Sequence, residues 1–74
     1  MKALALVRIA GPAAPQKVMR EIQKVKGVET AFPVFGRFDA VAVLSAESLE
    51  KLKESVLKIR AIEGVRKTET LVQV

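Results

Sequence analysis

Hydrophobic residues along this chain change their spacing in a regular order, and the order occurs twice. Lys2 to Ile9 is apolar on both alternating sets, Ala3/Ala5/Val7/Ile9 and Leu4/Leu6, which predicts a strand buried on two faces. Val18, Ile22 and Val25, with Met19 beside them, then recur at i, i+4 and i+7. That spacing predicts an amphipathic helix with Lys17, Arg20, Gln23 and Lys24 on its wet side. Gly11 to Pro15 leads into the helix, since proline is tolerated in a first helical turn. Gly27 suits the left-handed residue that closes it. Val28 to Phe35 alternates as a second strand, with Val28/Thr30/Phe32/Val34 on one face and Glu29/Ala31/Pro33/Phe35 on the other. Pro33 has no N–H to give a ladder, which assigns this strand to a sheet edge.

Beyond a turn at Gly36 the order repeats. Phe38 to Ser45 is apolar on both faces and reads as a central strand. Ser45 is placed to cap the next helix, with Glu47 and Glu50 near its positive end. Leu49, Leu52, Val56 and Ile59 predict the buried stripe of that helix, with Leu57 and Ile62 at the margins. Gly64 ends it, and Arg66 to Val74 alternates as a last, edge strand. Two βαβ halves joined at Gly36 predict an α+β, ferredoxin-like βαββαβ domain over residues 1–74. In that fold a four-stranded antiparallel sheet, in spatial order 4-1-3-2, carries two helices on one face. The central strands are apolar on the other face too, and a second subunit is the natural cover.

Composition narrows what such a domain can do. At 74 residues without Cys, one small core must hold the fold unaided, and self-association is the usual source of further burial. Without His or Cys the chain also lacks the commonest general base and the commonest metal ligands, so neither a metal nor a cofactor is expected. The net charge of +5 is scattered along the sequence and reads as solvated surface. Arg8 interrupts the N-terminal apolar run, and nothing approaches the ~18 residues of a membrane span, so the chain reads as cytoplasmic.

Candidate chemistry is sparse. Glu29, Asp39 and Glu69 are the carboxylates outside the helices, and no spacing brings two of them together for acid–base work. RNA recognition on such a sheet needs aromatic rings on the central strands, where only Phe38 stands, at the very start of one. Gly36-x-x-Asp39 reads either as a hairpin corner with Asp39 bonded to nearby backbone, or as a clamp for a small ligand. Thr68-x-Thr70 is either simple strand propensity or the hydroxyl lining of a polar pocket.

At these residues a family resemblance enters. The strand Ala3 to Ile9, the helix ending Lys26-Gly27-Val28, the turn Gly36-Arg37-Phe38-Asp39, and Ile62-Glu63-Gly64-Val65 before Thr68-Glu69-Thr70 follow one another in a known order. In that order the chain resembles the ligand-binding and oligomerisation half of the Lrp/AsnC regulators, the RAM module. The resemblance implies an ACT-like βαββαβ fold, a homodimer through the sheet face, and tetramers or octamer rings beyond it. It implies a small amino acid as effector, bound where dimers meet by Gly36, Arg37, Phe38, Asp39, Thr68 and Thr70. Phe35 stands where the family often has a small hydroxyl residue, and its ring would fill part of that pocket or favour an apolar ligand. Family members carry an N-terminal DNA-binding domain. The chain begins at the module, so a stand-alone protein without direct nucleic-acid binding is expected, partnered by itself or by a full-length regulator. The function implied is non-catalytic amino-acid sensing. The alternatives are a purely structural assembly protein and a small dimeric α+β barrel enzyme of the monooxygenase or isomerase type, which would need a deep polar cavity.

Overall fold

The computed structural model describes residues 1–11 and 15–73. The elements run β1 (Lys2–Ile9), α1 (Pro15–Lys24), β2 (Val28–Pro33), β3 (Ala40–Ser45), α2 (Leu49–Arg60) and β4 (Val65–Val72). All strand pairs are antiparallel and the sheet order is β2-β3-β1-β4, the expected order with β1 and β3 central and Pro33 on an edge. The turn into α1 falls partly on residues 12–14, outside the described residues.

The core lies between the helices and one face of the sheet. That face is built from small side chains: Ala3, Ala5 and Val7 of β1, Ala40, Ala42 and Leu44 of β3, and Ala31 of β2, all buried. Small residues let the helices approach closely, and the helices fill the remaining space with Val18, Ile22, Leu52 and Ile59. Alternating small and large partners across an interface is how close packing is reached without voids.

Among the described residues, no helix covers the opposite face. Register places Leu4 against Val43 and Leu71, and Leu6 against Val41 and Glu69. On β2, Thr30 and Phe32 continue these two rows through Val43 and Val41. Leu4, Phe32 and Leu71 are 40%, 44% and 50% exposed. The two-sided apolarity of β1 and β3 is therefore real, but within one chain only one side is covered.

Several boundaries differ from expectation. β2 stops at Pro33 and β3 starts at Ala40: the Val34 N–H still donates to the Asp39 carbonyl (3.0 Å), but the Asp39 N–H turns to the Val7 carbonyl, and residues 35–38 form the loop between them. Val28 does not share a face with Thr30. A register shift between them turns Val28 toward Leu44 and the core. Ser45 ends β3, and the cap of α2 is Ser48, whose Oγ accepts the Lys51 N–H at 3.3 Å. The buried stripe of α2 is Leu52, Ser55 and Ile59, while Leu49 and Leu57 are 46% and 60% exposed. Ser55 belongs inside because its Oγ donates to the Lys26 carbonyl (2.7 Å), tying α2 to the end of α1. A buried hydroxyl with that partner costs little, whereas an unpaired one would cost about 1–3 kcal/mol.

Candidate functional site

The turn between the two halves lies at the end of the sheet where β1 finishes. Gly36 has φ +128° and open space where a side chain would begin, a conformation that favours glycine. Arg37 is exposed and Phe38 half-buried, while Phe35 projects fully into solvent, so its ring fills no pocket within the chain. Asp39 is anchored on both sides. Its N–H donates to the Val7 carbonyl (2.8 Å), and its Oδ2 accepts the Ile9 N–H (2.8 Å). The carboxylate is thus held against the end of β1, beside a register shift between Arg8 and Ile9 in the β1–β4 pairing. The other oxygen makes no hydrogen bond among the described residues, and Asp39 is exposed.

Thr68 and Thr70 sit across the sheet on β4, opposite Val7 and Ala5. Both are half-buried and lie on the helix side of the sheet. Thr68 shares a cross-sheet row with Val7 and Ala40, next to Asp39, but β1 runs between them. Thr70 lies two residues further along and lines a mainly apolar groove of about 330 Å³ between α2 and β4, with Leu49, Val56 and Leu57. Within one chain the candidate residues therefore form two groups, the turn and β4.

A second cleft, about 430 Å³, lies at the other end of the sheet. Lys26, Lys51 and Lys58 rim it with Glu47 and Glu54, and Ser45 and Ser55 form part of its lining. The Lys51–Glu54 pair there is 3.5 Å apart and well exposed. At that same end Lys2 Nζ bonds Glu29 Oε1 at 2.6 Å. The Lys2 ammonium holds the Glu29 carboxyl below its ordinary range. The scattered charge of the sequence reads as solvated surface and gives no sign of the cleft. Ser55 enters the buried stripe of α2 only once packing brings the Lys26 carbonyl within reach, so no local pattern marks the cleft.

Among the described residues, no group of acidic side chains is arranged to hold a metal ion, and no helix is long and apolar enough to cross a membrane.

Residues 2–74 match the profile of the Lrp/AsnC ligand binding domain. The chain belongs to that family. Solved structures agree in fold. TTHA0845 from Thermus thermophilus is 30% identical with a TM-score of 0.89, over 99% of this chain and 91% of that one. The hypothetical protein PHS023 from Pyrococcus horikoshii is 23% identical, TM-score 0.85, over 99% and 88%. The feast or famine regulatory protein of M. tuberculosis, solved in complex with L-methionine, is 19% identical with a TM-score of 0.76. The alignment covers 99% of this chain but 50% of that regulator, so the likeness is one of fold within part of a longer protein. No curated protein sequence matches significantly.

Proposed function

We propose that this chain is a non-catalytic, amino-acid-sensing module that binds a small effector and passes the signal on through its state of assembly. The observation that carries the reading is the match of residues 2–74 to a ligand-binding domain family. A relative of the same fold has been solved with L-methionine, which makes an amino acid the natural first ligand class to test. In this reading two chains pack their open sheet faces together, burying Leu4, Phe32 and Leu71. Dimers meet at the Gly36–Asp39 end, where the turn and the β4 threonines of neighbouring chains line the effector site. Assembly is what brings the two groups of residues to one place. The turn's N–H groups hold the ligand carboxylate, and the free oxygen of Asp39 takes the ammonium.

An effector can shift an assembly equilibrium only by its differential affinity for one state. A ligand bound between dimers has that property, since the dimer alone offers half the site. Regulation then proceeds through larger rings of this chain or through mixed assemblies with a full-length Lrp/AsnC regulator inside the cell. Thermal-shift measurements with the twenty amino acids, alongside light scattering on a sizing column, test this reading. The expected result is a selective shift accompanied by a change in mass. A stable assembly indifferent to every amino acid would instead favour the assembly-protein reading, which the engagement of Asp39 with Ile9 N–H supports.

A further inference from the structure

The last row of the open sheet face carries two cations side by side. Arg8 and Lys67 are register partners on β1 and β4, one residue beyond the Val7–Thr68 pair and immediately before the β1 irregularity. Both are exposed. Like charges directly opposite on neighbouring strands repel, and a sheet normally avoids the pairing. Among the described residues, the carboxylates at hand form no ion pair with either cation. Asp39 is bonded to Ile9 N–H, and Glu69 faces Leu6 one row inward. The ion pairs among the described residues are Lys2–Glu29 and Lys51–Glu54, and neither Arg8 nor Lys67 takes part in one.

The row's position matters as well. The apolar rows through Leu4 and Leu6 lie inward of it, so a second sheet packed on those rows leaves Arg8 and Lys67 at the rim. Arg8 is also the residue beside Ile9, whose N–H fixes Asp39. The cation pair and the Gly36–Asp39 turn therefore share one end of the sheet.

We infer that Arg8 and Lys67 form an anion site, which makes the effector an acidic amino acid. Its side-chain carboxylate sits between the guanidinium and the ammonium, where Arg8 can present a planar fork of donors. Its ammonium takes the unbonded oxygen of Asp39. The inference rests on the effector reading for the amino-acid part of the ligand, while the anion site itself stands on the cation pair.

Calorimetric titrations with L-glutamate, L-glutamine, L-methionine and succinate, on the wild-type chain and on Arg8→Gln and Lys67→Gln, test it. L-glutamate is expected to bind about tenfold or more tightly than its neutral isostere L-glutamine, with that preference lost in either variant. Without ligand at low salt, either variant is expected to melt about 1–5 °C higher than wild type, because the repulsion is gone. That gain should vanish at high salt. L-methionine or L-glutamine binding as tightly as L-glutamate would overturn the inference and leave the effector reading standing. Succinate binding through Arg8 and Lys67, with no amino acid bound, would keep the anion site and overturn the effector reading. Weakened dimerisation of both variants would show that the cations pair with a second copy's carboxylates, and would also overturn the inference. Silence toward all four compounds overturns the inference, and the effector reading then stands or falls with the other amino acids.

Discussion

Asp39 Oδ2 accepts the Ile9 N–H at 2.8 Å, so the carboxylate best placed for a ligand already holds the end of a central strand. The two roles can be separated by substitution. Asp39→Asn keeps an oxygen acceptor and should leave stability nearly unchanged. Asp39→Ala should cost about 1 kcal/mol, read as a drop of about 4–8 °C in melting temperature for a domain of this size. Thermal melts of the ligand-free variants check this. Equal losses in both would mean that charge, and not the bond to Ile9, is what stabilises the turn.

Gly27 and Gly36 both have positive φ, at +101° and +128°, yet they should respond differently to alanine. A Cβ at Gly27 would clash with Ser55 Oγ, the hydroxyl that bonds the Lys26 carbonyl, while a Cβ at Gly36 meets nothing within 4 Å. Gly36→Ala should cost about 1 kcal/mol of backbone strain alone. Gly27→Ala adds the displacement of a buried hydroxyl and should cost about 1–3 kcal/mol more. Urea titrations of the pair give the comparison directly.

The Lys2–Glu29 bond should appear as a mild acid sensitivity. Lys2 holds the folded-state pKa of Glu29 below its ordinary value of 4.5, so the stabilisation is present above that value and is lost as pH falls through the lower folded-state pKa. Both side chains are about half exposed, at 55% and 42%, so the effect should be small and screened by salt. Melting curves taken from neutral pH downward check it. Glu29→Gln is expected to flatten the acid limb, and an unchanged limb would count against the pairing in solution.

The open sheet face should be the dimer contact. Leu4 and Leu71 are register partners at its centre, and Val43 lies beside Leu4 on the other side. Placing a lysine at Leu4 puts a charge into that contact without touching the helix-side core. Sedimentation should then show a monomer where the wild type is a dimer. A Leu4→Lys protein that remains dimeric would require a different contact surface.

Much of the fold was legible because its rules are local. Alternation along Lys2–Ile9, the Val18/Ile22 spacing and the proline at 33 each state one element's exposure, and the sheet order follows once the repeated βαβ halves are read as a ferredoxin-like fold. What misled was context that lies outside the element. Ser45 and Ser48 are both acceptable caps, and the choice went to Ser48 because Ser45 is still in the ladder, its N–H bonded to the Gly27 carbonyl. Leu49 looked like core and Ser55 did not, since only the packed structure puts the Lys26 carbonyl within reach of the serine. The Val28 face was misread because a register shift leaves no mark in an alternating pattern. For the site, sequence could name the turn and the threonines, but not that β1 runs between them. Nor could it show that Arg8 and Lys67 stand in register, since pairing belongs to the sheet and not to either strand.

The decisive experiment for the effector reading is calorimetric titration of the wild-type chain with the twenty amino acids, with its mass followed by light scattering during each titration. Saturable binding of a narrow set is expected, accompanied by growth from dimers to larger assemblies. Binding should weaken in Asp39→Asn, which keeps the strand anchored. No heat and no change in mass with any of the twenty would contradict the reading.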